Sequence, residues 1–227
     1  MSNLLRKNFK LCFIPLIAAF YLFALMLLIP NYIYLIPCFF TTNAIFYMFQ
    51  RCVLNNDFLY TSFLPVSKRD SVKAMFILVV IIELVMLALY VPMIFLNRVA
   101  VSTPNSAGVD TSVTLIAMGF CVFSIFNLVF LPSFYKTAYK AGNSFLKASV
   151  AVFCFIFVSE GVFIAANSLG DKVGFFGWIK DHLDCWPGSA ETLVPQLIVL
   201  AAAVVIFAAL TMISLKRSEK NFEMVDL

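Results

Sequence analysis

Apolar residues in this chain fall in long unbroken blocks separated by short polar segments. A helix rises about 1.5 Å per residue and a bilayer's hydrocarbon core is about 30 Å thick, so about 20 apolar residues make one span. Six blocks qualify: Leu11 to Ile29, Tyr32 to Phe49, Ala74 to Leu96, Thr111 to Phe134, Ala148 to Leu169 and Leu193 to Leu215. Pro30-Asn31 is a turn signal between the first two. The second block carries Pro37, Thr41, Thr42 and Asn43 and is expected to bend. None of the blocks alternates with period two, which argues against a membrane β-barrel. The first is long and no small-x-small site follows it, so it reads as a span and not as a cleaved signal peptide. The pattern predicts an all-α, polytopic membrane protein with six transmembrane helices. No charge block, Pro-rich linker, low-complexity tract or internal repeat divides residues 1–227, so one membrane domain is expected.

Composition supports this. Of 227 residues, 63% are hydrophobic and 12% are charged, against about 45–50% apolar and about 25% charged in soluble domains. A chain of this length has too little interior to hide that much apolar surface, so a soluble enzyme and a disordered chain are both excluded. The net charge of +4 forms no continuous basic stripe, which argues against a nucleic-acid partner. Of the 16 Lys and Arg, only Arg98, Lys172 and Lys180 fall on one side of a six-span arrangement. The other 13 lie in the N-terminal arm, the loops after the second and fourth spans, and the tail. Basic residues stay on the cytoplasmic side, so both termini are expected there.

Little in the chain supports catalysis or metal binding. The six Cys form no C-x-x-C pair, and Cys185 alone lies in an outer loop, so no disulfide framework follows. His182 is the only histidine, which leaves a zinc site poorly supported. There is no G-x-x-x-x-G-K-[ST] and no G-x-S-x-G. If ATP drives this protein, a separate chain must bind it.

The segment from Arg51 to Lys73 is the most informative. Asn55-Asn56-Asp57 is a stop-and-cap signal with Asp57 as N-cap, and Phe58 to Phe63 is a short amphipathic piece. Leu64-Pro65 breaks it, because the residue before a proline is pushed out of helical conformation. Ser67 and Asp70 make a variant capping box for the third span. Lys68, Arg69 and Lys73 then sit where that span enters the membrane, near anionic headgroups. The plainer reading is a basic anchor with a Pro turn; the other is a docking element for a soluble partner.

The run Leu64-Pro65-Val66-Ser67-Lys68-Arg69-Asp70-Ser71-Val72, just before a long span, resembles the signature of small type-2 ABC transporter permeases. These have about six spans, a basic N-terminal arm and no ATPase domain of their own. The likeness in layout covers nearly the whole chain, and the motif itself about ten residues. Ser71 stands where a branched residue is common, and no Tyr follows Lys73. The resemblance implies a coupling helix at about Asp57 to Leu64 that inserts into a groove on an ABC ATP-binding subunit. Phe58, Leu59 and Tyr60 would be its anchors, and Pro65, Lys68 and Arg69 would set its angle to the third span. It further implies two permeases with two ATPases, ATP and Mg being held by the ATPases, and an interfacial elbow over residues 1–10. In that elbow Leu4, Leu5 and Phe9 would share one face, with Arg6, Lys7 and Lys10 at headgroup level.

Two carboxylates, Glu83 and Glu160, fall near the middle of the third and fifth spans, with no Lys or Arg in a span to pair with either. A charge there costs about 2.5–3.5 kcal/mol on insertion scales. They read either as translocation-path or proton-coupling groups, or as neutral carboxyls hydrogen-bonded between helices. The loop over residues 170–192 carries Phe175, Phe176, Trp178, Leu183 and Trp186 among charges, which suits a short amphipathic or re-entrant helix at the outer interface. The loop from Asn97 to Asp110 carries no recognisable chemistry.

The expectation is a multi-pass permease of the bacterial cytoplasmic membrane, the transmembrane half of an ATP-driven ABC exporter moving amphipathic peptides or other hydrophobic molecules. Proton-coupled secondary transport through Glu83 and Glu160 is the alternative, as is a non-transporting immunity or scaffold protein. An intramembrane enzyme would need a clustered set of reactive groups that the chain lacks.

Overall fold

The computed structural model describes residues 2–12, 15–63, 65–101, 103–137 and 140–225. Every regular element among them is helical. Helix α1 is Ser2–Cys12, α2 is Pro15–Tyr21, and a 3₁₀ segment Leu22–Leu28 continues it. Helix α3 is Ile36–Leu54 and α4 is the short Asp57–Ser62. Helices α5 (Lys68–Ala100), α6 (Val113–Thr137), α7 (Ala141–Leu169) and α9 (Ala190–Glu223) are long, and α8 (Gly174–His182) lies between the last two.

Four of these, α5, α6, α7 and α9, are long and apolar enough to cross a membrane, and they contain the third, fifth and sixth predicted spans and all but the first two residues of the fourth. The first two predicted spans take another form. The block Leu11 to Ile29 is not one helix: α1 extends to Cys12, and α2 then passes into 3₁₀ geometry. A 3₁₀ turn rises about 2.0 Å per residue, so α2 and the 3₁₀ segment together cover about 25 Å. They carry the chain from one end of the bundle to the other. At one end Lys7 of α1 meets Asp57 at 2.8 Å. At the other, Asn31 accepts hydrogen bonds from the Ser106 amide (3.3 Å) and hydroxyl (2.8 Å). Helix α3 returns to the first end. Pro37 does not bend it, as expected, but sits in its first turn, where the missing N–H costs nothing. Thr41 and Thr42 turn their hydroxyls back onto the carbonyls of Pro37 (3.1 Å) and Phe39 (2.7 Å), which keeps those polar groups satisfied in an apolar setting.

The core is aromatic. Phe49, Phe126, Phe130 and Phe134 are fully buried where α3 meets α6, with Phe49 edge-on to Phe130 (5.3 Å between ring centres) and to Phe134 (4.7 Å). Helix α9 packs along α6 through a narrow stripe of Gln196, Ala203, Phe207, Ser214, Ser218 and Phe222. The steps of seven and four residues keep these side chains on one face of a helix of about 3.6–3.7 residues per turn. Small residues in that stripe let the backbones approach, and Ser214 donates to the Asn127 carbonyl of α6 at 2.5 Å. The rest of α9 is exposed apolar surface, including Ile198, Val205 and Met212.

Candidate coupling face and outer cluster

The sequence-predicted coupling segment lies at the end of the bundle that carries most of the basic residues. Asn56, not Asp57, is the N-cap of α4, at φ 52°. The difference follows from chain reversal: α3 ends at Leu54, and the chain needs one left-handed residue to turn, which Asn tolerates well. Asp57, in the first turn, forms the ion pair with Lys7, and the Lys7 ammonium also donates to the Thr61 hydroxyl at 2.6 Å. Thr61 in turn donates to the Asp57 carbonyl, also at 2.6 Å. Helices α1 and α4 are thereby held together, with the Lys7 side chain 22% exposed. Among the described side chains of α1, Leu4 and Asn8 are buried and Phe9 is half exposed.

The three predicted anchors do not share a face. Phe58 is buried at 5% exposure against Phe134 (5.6 Å between ring centres), Tyr135 (6.2 Å) and Phe222 (6.0 Å). Tyr60 (66% exposed) and Leu59 (38%) face outward, and Phe63 (76%) joins them. The cause is helical spacing: Phe63 lies four residues after Leu59 and three after Tyr60, whereas Phe58 pairs with Thr61. Leu64 lies outside the described residues. Pro65 sits in a bend and is exposed.

Ser67 caps α5 as expected, accepting from the Asp70 amide at 3.1 Å, and its hydroxyl donates to the Asp70 carboxylate at 2.7 Å. The adjoining cations meet protein partners that the sequence reading missed. Arg69 makes a two-pronged contact with Glu223 (2.5 and 3.2 Å), Lys68 donates to the Val225 carbonyl (2.7 Å), and Lys73 lies 3.8 Å from Glu219. The C-terminal end of α9 therefore clasps the start of α5 and lies beneath α4 through Phe222. Acidic residues three to four apart on a basic tail were the available signal, but their partners lie more than a hundred positions away.

The two intramembrane carboxylates are held in separate places. Glu83 is fully buried and accepts from the Asn127 side-chain amide of α6 at 2.9 Å. Glu160 accepts from the Val109 amide at 2.8 Å, so it fastens the α5–α6 loop onto α7. Gly108 (φ 156°) passes so close to Glu160 that a Cβ there would collide with the carboxylate. The same loop, which looked featureless, is an organised latch. Asn105 donates to the carbonyls of Tyr32 (2.9 Å) and Val109 (3.0 Å), and Asn97 to those of Leu27 (2.5 Å) and, through its amide, the Tyr34 hydroxyl (3.2 Å).

Beside this latch lies an outer acidic cluster. Asp184, in the loop after α8, accepts from the Asp110 amide (2.7 Å) and the Asn167 side chain (3.1 Å). Burial pushes its carboxyl up to about 7, against the pull of those two hydrogen bonds. Burial also raises Asp110, partly offset by the Thr111 amide. Among the described residues no group of three or more His, Cys, Asp and Glu is placed to hold a metal ion. Within residues 170–192, where a short amphipathic helix is expected, α8 forms with Phe175 and Trp178 exposed on it.

A family model described as ABC-2 family transporter protein matches residues 3–223, which is nearly the whole chain. The chain belongs to the ABC-2 transporter family. No curated protein and no solved structure matches it. The family assignment rests on the overall sequence, since the match spans nearly the whole chain. Membership makes the permease a multi-pass membrane component of a transporter, of a kind that works in general with an ABC ATPase.

Proposed function

We propose that this ABC-2 permease is the membrane half of an ATP-driven exporter of the bacterial cell membrane. The observation that carries the reading is the two-sided helix α4. Its inner side is keyed by Phe58 into α6 and α9 and by Asp57 into α1, and its outer side presents Leu59, Tyr60 and Phe63. An exposed aromatic and aliphatic patch of this kind suits the groove of a soluble partner. The partner is an ABC ATP-binding subunit, which holds ATP and Mg itself. Closure of two such subunits displaces α4, and its contacts pass the displacement to α1, α6 and α9 as one body. Different affinity for nucleotide in the two arrangements is what makes the cycle directional.

Six spans with both termini cytoplasmic are part of the proposal. The support is that the α2–3₁₀ segment and α3 are each about 25–28 Å long, near the thickness of a hydrocarbon core, and that 13 of 16 basic residues fall in the arm, loops and tail assigned to the α4 side. Two permeases form the pathway, and amphipathic peptides or other hydrophobic molecules are the proposed cargo, on the strength of the chain's 26 Phe. Glu83 is proposed as a helix-pairing group on the path's flank and Glu160 as the outer-loop latch.

The test is co-purification with the ABC ATPase encoded beside the permease. Leu59→Ser, Tyr60→Ala and Phe63→Ser together are expected to lose the ATPase while leaving the thermal midpoint of the permease unchanged. Retention of the ATPase by that variant sinks the coupling assignment.

A further inference from the structure

Between α5 and α9, near the basic end, lies an open groove of about 360 Å³. Phe76, Ile77, Val80 and Ile81 form one wall and Met212 and Leu215 the other, and no polar surface is exposed inside it. Lys73 stands at its mouth. The two helices are tied together just below, where Arg69 meets Glu223 and Lys68 meets the Val225 carbonyl, so their spacing is set by charge pairs and the gap above is built in. From Lys73 to Ile81 the groove extends about 12 Å along α5, close to the depth of one leaflet's hydrocarbon. Its volume is far above the roughly 10–15 Å³ that one water needs, and admits part of one acyl chain. Both helices cross the membrane, so the groove opens sideways into hydrocarbon, and a void there forfeits dispersion contacts on every wall.

The mouth carries Lys73, with the Glu219 carboxylate 3.8 Å from it, and helical spacing places Lys216 on the α9 side. Lys73 precedes Ile77 by four residues on α5, and exposed Lys216 follows Met212 by four on α9, which puts each cation one turn beyond the apolar wall. Glu219 approaches Lys73 only to 3.8 Å, outside hydrogen-bond range, so the three donors of that ammonium are not committed to it.

We propose that the α5–α9 groove is a binding site for one anionic phospholipid, with an acyl chain between Phe76–Ile81 and Met212–Leu215 and its phosphate on Lys73 and Lys216. The leaflet follows from the topology proposed above, but the chemistry does not depend on the coupling assignment. Bound lipid would fill the gap between the helix that begins at the coupling segment and the helix whose tail supports it.

Native mass spectrometry of the detergent-purified permease tests this, with phosphatidylglycerol and phosphatidylcholine of identical chains. The wild type is expected to retain phosphatidylglycerol about tenfold more strongly, two surface cations being enough for that. Lys73→Gln with Lys216→Gln should bring the two lipids level, and Lys216→Gln alone, which leaves the Lys73–Glu219 contact in place, should lower the preference part-way. Val80→Trp, which fills the groove, should remove the residual adduct of both. Equal binding of the two lipids to the wild type, or an adduct indifferent to the double Gln variant, overturns the site and leaves ordinary annular lipid. A cross-link between protomers carrying Ile77→Cys and Met212→Cys also overturns it, because a second copy then covers the groove. ATPase co-purification reads the coupling face alone, so the two proposals fail separately.

Discussion

Phe58 and Leu59 are adjacent, yet one is buried among Phe134, Tyr135 and Phe222 while the other faces out. Six residues are too few for a hydrophobic pattern to say which side of α4 is which. Phe58→Ala is therefore expected to act on the fold, costing about 3–5 kcal/mol, and to lower the thermal midpoint, whereas the outward triple variant does not. Asp184 gives a second prediction at this scale. Its folded carboxyl lies near 7, above its usual range of about 4, so the folded state holds a proton that the unfolded chain has already lost. Stability should therefore fall as pH rises from about 4 to about 7 and then level off, by on the order of 4 kcal/mol at most. Asp110 and Glu160, the acidic neighbours, bias the same way. Thermal melts at pH 5 and pH 8 should differ for the wild type and converge for Asp184→Asn. A wild type more stable at pH 8 would contradict the assignment.

Among the elements, α1, α4 and the tail of α9 form one assembly that no single helix specifies. The Lys7–Asp57 pair is only partly exposed, 22% and 13% at the two side chains, so it is not a screened surface pair. Lys7→Asp is expected to lower stability by about 1–3 kcal/mol, and Lys7→Asp with Asp57→Lys should recover much of it, as read by denaturation in detergent. The α6–α9 seam sets a different demand. Ala203 and Ser214 are buried where the two backbones are near, so Ser214→Leu should cost about 1–3 kcal/mol by overpacking. Ile198→Leu, on the exposed side, should be neutral.

At the level of the whole molecule, the deciding question is how often the chain crosses. The two ends of the α2–3₁₀ segment are marked by contacts at opposite ends of the bundle, Lys7 with Asp57 and Asn31 with Ser106. A topology reporter inserted after Asn31 should accordingly read as outside, together with one after Gly188, while reporters after Pro65 and Val225 read as inside. An inside signal after Asn31 would reduce the crossings to the four long helices.

Six apolar blocks, their order, the concentration of basic residues at one end and the Ser67 cap were all legible in the sequence. Each depends on costs paid locally: burying a charge in hydrocarbon, leaving an amide unpaired, turning a chain at proline. The family too was legible, through a motif of about ten residues and a layout. The tertiary structure alone decided which α4 residues face out, that Lys68 and Arg69 meet the tail, and that Glu160 fastens a loop. Those outcomes rest on pairs such as Lys7 with Thr61, 54 positions apart, and Arg69 with Glu223, 154 apart. Periodicity is a property of neighbours along one helix, and it carries no record of which other helix comes to lie against it.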